Sequence, residues 1–297
     1  MVETLEHRRF VEFCDACRRY RYIGLCFGAP GVGKTLSARH YSRFEAVKDS
    51  DRRTACIAEG APPDTVFYTP SVVNTPRTID LAIRRSRDSI RNLAKRPLRL
   101  EMEEKLNAIR LRDENYKSEI LRKHDWFSRP VPELRPTYGE VARAYSIKEM
   151  EIADPTALIL VDEADRLRMA SLEQVRAIFD AGNIGMILVG MPGIEKRLAR
   201  YPQFYSRIGF VHEFRPLAAN EIRDLLEKGW VPPGVNLPER PLDPETIAAI
   251  IRMTAGNFRL LNRLLTQIER ILEVNSLQEV TKAAVEAARE SLVIGEA

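Results

Sequence analysis

The chain predicts an α/β fold in which a parallel sheet is flanked by helices, followed by a small all-α unit. Three observations carry that prediction. Gly28-Ala29-Pro30-Gly31-Val32-Gly33-Lys34-Thr35 reads G-x-x-x-x-G-K-T, the phosphate-binding loop pattern. Ala157-Leu158-Ile159-Leu160-Val161 is an aliphatic run that ends in Asp162-Glu163. After Pro216 the aliphatic runs stop and only helical periodicity remains. Unbroken apolar runs are what strands covered on both faces look like, and parallel sheets are covered that way.

Residues 3–20 predict a helix. Phe10, Phe13, Cys14 and Cys17 recur at spacings of three and four and form one apolar face, opposite Arg8, Arg9, Arg18 and Arg19. Cys14-x-x-Cys17 has a metal-ligand spacing but lacks a second pair, so both thiols are expected on the buried face. Tyr22–Phe27 is the first strand and 36–41 the helix after the loop, the order a phosphate loop needs. Residues 43–64 are polar, hold Gly60, Pro62 and Pro63, and read as a loop. Val66-Phe67-Tyr68-Thr69 is a second strand, closed by Pro70. Thr75-Pro76 opens a helix with proline at its first position, and Ile79, Ile83, Ile90 and Leu93 give its inner stripe. Pro97 is expected to break that helix, leaving another over 100–124 with a thin stripe of Leu100, Leu106, Ile109, Ile120 and Leu121. An irregular stretch with Pro130, Pro132 and Pro136 then leads to a helix over 138–149. Further on lie a helix at 172–181, strands at 185–190 and 210–214, and a helix at 194–199. Helices near 218–229, 244–254, 257–274 and 276–291 complete the chain. The domain reading is an N-terminal helix (1–20), a nucleotide-binding core (21–215) and a helical lid (216–297). Lys34 and Asp162 are 128 residues apart, whereas a minimal helix–strand–helix passage takes about 50. The surplus forms a charged helical insertion near 95–150.

Composition bounds the function. The 297 residues are 44% hydrophobic, enough for a sizeable core, and 30% charged. The net charge of +4 is unevenly spread: the stretch from Arg77 to Arg99 carries +6 and the remainder −2. Local positive charge of this kind is a polyanion footprint. The four cysteines, the lack of a signal-peptide pattern and the lack of an 18-residue apolar run predict a reducing, cytoplasmic setting with no membrane partner.

The motif residues imply their own chemistry. Glycines let successive N–H groups turn toward phosphate oxygens. Lys34 would reach the β- and γ-phosphates, and Thr35 would offer its hydroxyl to Mg²⁺. Asp162, delivered by a buried strand to the crevice at its carboxyl end, is the second candidate for Mg²⁺. Glu163 would orient the attacking water. Asp162-Glu163-Ala164-Asp165 also spells a helicase box, but nothing else in the sequence supports a two-domain helicase.

These residues together resemble the AAA+ ATPases, over roughly residues 20–275. Within them the chain resembles the transposition regulators of the MuB, TnsC, TniB and IstB kind, through loop 28–35, Leu160-Val161-Asp162-Glu163-Ala164-Asp165-Arg166-Leu167 and Gly185-Met186-Ile187-Leu188-Val189-Gly190. The resemblance implies an ATPase with ATP and Mg²⁺ as its cofactors. Gly28, Ala29, Pro30, Gly31, Val32, Gly33, Lys34, Thr35 and Leu36 would hold the nucleotide, joined by Arg259 of the Gly256-Asn257-Phe258-Arg259 sensor motif; Arg263 lies one turn on. Thr35 and Asp162 would hold the metal. Glu163, Lys34 and Arg207 would be catalytic, with Arg207 a finger supplied to a neighbouring subunit and Arg215 its nearest competitor. One departure stands out. Met191 occupies the position after the strand where such proteins carry a small polar residue, so either the Gly190 backbone suffices there or hydrolysis is slow.

The resemblance further implies a homo-oligomer, ring or helical filament, on double-stranded DNA that selects a target site and recruits a transposase. DNA contact is assigned to Arg77, Arg84, Arg85, Arg87, Arg91 and Lys95; of these Arg84, Arg85, Arg87 and Arg91 recur about every helical turn and Lys95 continues the row. Two other readings keep the nucleotide chemistry: a replication initiator or helicase loader, and a signalling switch whose insertion binds a protein.

Overall fold

A computed structural model describes residues 4–49, 63–122, 135–238 and 241–292. The chain runs α1 (Leu5–Tyr20), β1 (Ile23–Phe27), α2 (Lys34–Tyr41), α3 (Phe44–Asp49), β2 (Thr65–Tyr68), α4 (Pro76–Arg122) and α5 (Tyr138–Glu151). It continues β3 (Leu158–Val161), α6 (Met169–Ala181), β4 (Gly185–Gly190), α7 (Ile194–Ala199), α8 (Pro202–Tyr205) and β5 (Ile208–Glu213). Last come α9 (Ala219–Glu227), α10 (Pro244–Thr254), α11 (Phe258–Val274) and α12 (Lys282–Glu290). The five strands form one sheet in the order β2-β3-β4-β1-β5, and every pairing is parallel.

The unbroken aliphatic runs become the central strands. Every residue of β3 and β4 is buried, because helices cover both faces of the sheet. Ile79, Ile83 and Ile90 of α4 pack with Val175 of α6 and Ile159 and Val161 of β3 in one apolar cluster. Phe10, Cys14 and Cys17 of α1 pack on the opposite face with Leu160, Ile187 and Val189. The thiols are thus core groups: Cys14 and Cys17 are fully buried, and burial pushes Cys17 up to about 12. Residues from Leu217 onward build their own cluster around Leu261, Leu264, Leu265 and Ile268.

Two expectations fail. The stretch 43–64 is not all loop, since Phe44–Asp49 is helical; Cys56, Gly60 and Pro62 lie outside the described residues. Pro97 does not end its helix. The 47-residue α4 runs straight through it, a length of about 70 Å. Pro97 removes one backbone donor, at a cost of about 3 kcal/mol. The packing of α5 against α4 offsets that cost. Lys95 and Arg99 both reach Glu149 of α5, at 3.6 and 2.5 Å, and the Tyr145 hydroxyl donates to Glu101 at 2.7 Å. Leu106 and Ile109 are buried beyond the proline, whereas Leu100 is exposed. A capping box at Thr137 and Glu140 starts α5, and Arg112 of α4 donates to the Pro136 carbonyl at 3.1 Å, so the α4–α5 hairpin is anchored at its far end as well. Of the proline-rich stretch, Pro130 and Pro132 lie outside the described residues.

Candidate nucleotide site

Parallel pairing sets β3, β4 and β1 side by side, with Phe27 level with Gly190 and Val161 level with Leu188. The loops leaving their carboxyl ends therefore meet. They are the phosphate loop, the Asp162-Glu163 turn and the Gly190-Met191 turn. A cleft of about 410 Å³ opens between them, lined by Gly31, Lys34, Thr35, Asp162, Glu163 and Met191 and closed from the lid side by Arg259. An α/β sheet takes its ligands at this edge.

Within the phosphate loop each glycine has a local reason. A Cβ on Gly28 would meet the Phe214 carbonyl oxygen at 2.2 Å. Gly31 and Gly33 have φ of 83° and 113°, backbone that other residues reach only at a cost. Val32 is buried beneath the loop, and Leu36 is exposed at the cleft wall. The Lys34 ammonium folds back to donate to the Gly28 carbonyl at 2.5 Å and the Ala29 carbonyl at 2.8 Å. Burial lowers its pKa, opposed by the field of Cys26, Asp162 and Asp165.

Asp162 is 2% exposed, and burial raises its pKa against hydrogen bonds from the Thr35 hydroxyl and the Glu163 amide. A buried carboxylate beside a hydroxyl is the oxygen donor set that suits Mg²⁺. Among the described residues no group of three or more His, Cys, Asp or Glu side chains could hold a metal alone. Mg²⁺ held here by Asp162 and Thr35 would take waters and phosphate oxygens as its remaining ligands. Glu163 has a left-handed φ of 48° and pairs with Arg166. Arg166 also donates to the Pro70 carbonyl at 3.1 Å, which holds the turn across to the end of β2.

The C-terminal helices dock directly on the phosphate loop. Asn257 caps α11 by accepting from the Leu260 amide at 3.1 Å, and its Nδ2 donates to the Pro30 carbonyl at 2.9 Å. The Arg259 amide donates to the Gly31 carbonyl at 2.9 Å. Sequence reading names the motif but misses this contact, which joins residues 227 apart. It also misses a second chamber of about 460 Å³, lined by Thr4, His7, Val32, Phe214, Trp230 and Phe258. Leu36, Gly33, Phe258 and Asn262 line both chambers, so the two adjoin. The aromatic signal of Trp230 was present in the sequence, but nothing local tied it to the loop.

The predicted residues do not all converge. Arg207 is not among the residues lining the cleft; it makes a forked pair with Asp180 at 2.6 and 3.0 Å and donates to the Gln203 carbonyl. Arg215 lies near Glu213, at 3.5 Å, and Arg263 is exposed outside the cleft lining. The basic row on α4 divides. Arg77, Arg84 and Arg85 are exposed, with Arg84 paired to Asp80 at 2.8 Å. Arg87 instead binds Asp154 at 2.7 Å, Arg91 donates to the Ile152 carbonyl at 3.0 Å, and Lys95 faces Glu149.

Known proteins share the family and the fold. A family profile described as an AAA domain matches residues 17–121 and 128–198. A Staphylococcus aureus protein described as a potential ATP-binding protein is 39% identical over 302 residues, which cover 99% of this chain and 97% of that protein. The fold is similar to the Aeropyrum pernix ORC1 protein solved in complex with DNA, with TM-score 0.51 and 20% identity over 96% of this chain and 64% of that one. This chain therefore spans less than two thirds of the ORC1 chain. It is also similar to the Thermotoga maritima RuvB Holliday junction branch migration motor, with TM-score 0.54 and 14% identity over 99% of this chain and 71% of that one. With the profile across more than half of its residues and a near full-length relative, the chain belongs to the AAA domain family of P-loop ATPases.

Proposed function

We propose that this chain is an ATP-dependent switch that assembles as a homo-oligomer on double-stranded DNA and, as a transposition regulator, selects a target and recruits a transposase. The observation that carries the assembly reading is the split of the phosphate chemistry. Lys34, Thr35, Asp162, Glu163 and Arg259 line one cleft, while Arg207 lies outside it on the same chain. A guanidinium so placed serves a γ-phosphate only on a neighbouring subunit.

The phosphates would enter the polar cleft and the base the adjoining apolar chamber. Lys34 exchanges two loop carbonyls for phosphate oxygens. Asp162 and Thr35 would hold Mg²⁺, which spreads phosphate charge when bound. Glu163 leaves Arg166 to orient water, and a neighbour's Arg207 leaves Asp180 to meet the charge that develops in the transition state. Exposed Arg77, Arg84 and Arg85 supply backbone contacts that suit DNA of arbitrary sequence. The fold neighbours include an ORC1 solved with DNA and a branch migration motor, which makes duplex DNA the first polyanion to test.

Sedimentation of the full chain with duplex DNA tests the switch. Assembly is expected with ATP, not with ADP, and not with Lys34→Ala. DNA binding indifferent to nucleotide overturns it. Mixing Arg207→Ala with Glu163→Gln tests the finger. Each variant is expected to be inactive alone, and the mixture regains hydrolysis because one subunit type supplies the arginine and the other the base. A fully active Arg207→Ala rejects the assignment. Capture of the transposase by the ATP-bound, DNA-bound form, and not by the ADP form, tests the last step.

A further inference from the structure

The fourth letter of the Asp162-Glu163-Ala164-Asp165 sequence has no role in the reading above. Asp165 sits on a 3₁₀ turn, Ala164–Arg166, directly after the strand that delivers Asp162 and Glu163. Its side chain lines the cleft. Its Oδ2 accepts from the Met191 amide at 2.8 Å, across 26 residues of sequence. The fit is close: a Cβ on Gly190 would stand 2.9 Å from Oδ2 and 3.1 Å from Oδ1. The same turn is gripped from α7, where Arg197 donates to the Asp165 carbonyl at 2.9 Å and to the Leu167 carbonyl. On its other side the Asn74 side chain donates to the Arg166 carbonyl at 3.0 Å.

Met191 offers only a thioether where a polar side chain would touch phosphate or water. The amide of the same residue is held by a carboxylate instead. We propose that Asp165 is a positioning residue for hydrolysis, binding the Met191 amide so that the end of β4 and the Glu163 turn hold one fixed spacing around the γ-phosphate. This role rests on the reading of the cleft as a site of ATP hydrolysis. The contact that carries this role is a hydrogen bond to a neutral N–H, and Asp165→Asn separates it from the carboxylate's charge, which also bears on Lys34. Fixed spacing matters to the chemical step, where the water must stand in line, more than to capture of the nucleotide.

The test uses the full chain, steady-state hydrolysis, and direct titration of ATP. Asp165→Ala is expected to lower kcat by at least about tenfold, with KM and ATP affinity kept within about threefold. Asp165→Asn retains an acceptor oxygen and is expected within about threefold of the parent in kcat. Thermal melts of each variant identify loss of fold, and Asp165→Ser, polar but too short to reach, stands in for Ala if Ala does not fold. The role is overturned if Asp165→Ala turns over normally. It is equally overturned if Asn is as damaging as Ala, which would make charge the agent, or if affinity falls in step with kcat, which would make the residue merely structural. A parent chain that binds ATP without turnover overturns the hydrolysis reading itself, and this role with it. Normal parent turnover with an unaffected Ala variant removes only the role.

Discussion

Asn257 is the sharpest place to probe the coupling of lid to phosphate loop, because its two functions separate chemically. Its Oδ1 caps α11 and its Nδ2 reaches the Pro30 carbonyl. Asn257→Ala removes both, at about 1 kcal/mol for the cap and about 1 kcal/mol for the bond between lid and loop. Asn257→Asp keeps an equally good cap and removes only the donor, so its cost is about 1 kcal/mol. A urea m-value of about 2 kcal/mol/M turns these into midpoint shifts of about 1 M and about 0.5 M. Trp230 reports the event, since its ring centroid lies 5.5 Å from that of Phe258 at the start of α11. The chain holds two tryptophans, so the titration is read in a Trp126→Phe background. An Asp variant as stable as the parent would refute a stabilising lid contact, and an Ala variant no worse than Asp would refute the cap.

Three further outcomes are expected. Pro97→Ala restores a helix donor in α4 and stabilises the hairpin by up to about 3 kcal/mol, read as slower amide exchange over residues 98–105; unchanged exchange would show that the proline carries no cost there. Alanine at Arg77 and Arg85 each lowers the slope of log K for duplex DNA against log salt by about 0.9, while Arg91→Ala, whose guanidinium is bound to the Ile152 carbonyl, lowers stability and leaves the slope alone. Burial holds His212 below its ordinary 6.5, although Glu6 at 3.0 Å opposes the shift and Arg9 and Arg215 reinforce it. The unfolded chain therefore binds this proton first, so stability present above pH 6.5 is lost as pH falls through the lower folded value. His212→Gln is expected to flatten that acid limb in pH-dependent melts, and an unchanged limb would place the titration elsewhere.

The arginine row shows where sequence pattern and structure part. Helical spacing places Arg84, Arg87, Arg91 and Lys95 near one another along α4, but spacing carries no information about what stands opposite. The α5 helix and the segment after it bring Asp154, the Ile152 carbonyl and Glu149 to that side, and three of the six proposed DNA contacts turn to them. Pro97 teaches the same lesson from the backbone side. A local rule prices the missing donor correctly, and a partner helix whose contacts span 44 and 50 residues outweighs it.

By itself the sequence determined the parallel α/β core, the loop at 28–35, and the pair Asp162 and Glu163. These follow from backbone chemistry and burial pattern, which are written within a few adjacent residues: glycines where φ must be positive, aliphatic runs where both faces are covered. Tertiary structure alone decided which groups share the cleft. It set Asp165 on the Met191 amide, placed Asn257 on the Pro30 carbonyl, opened the aromatic chamber around Trp230 and Phe258, and left Arg207 outside with Asp180. Each of these depends on a hydrogen bond or contact between residues distant in the chain. Strand ends meeting at one edge of the sheet bring Asp165 to the Met191 amide, and the docking of α11 brings Asn257 to the Pro30 carbonyl.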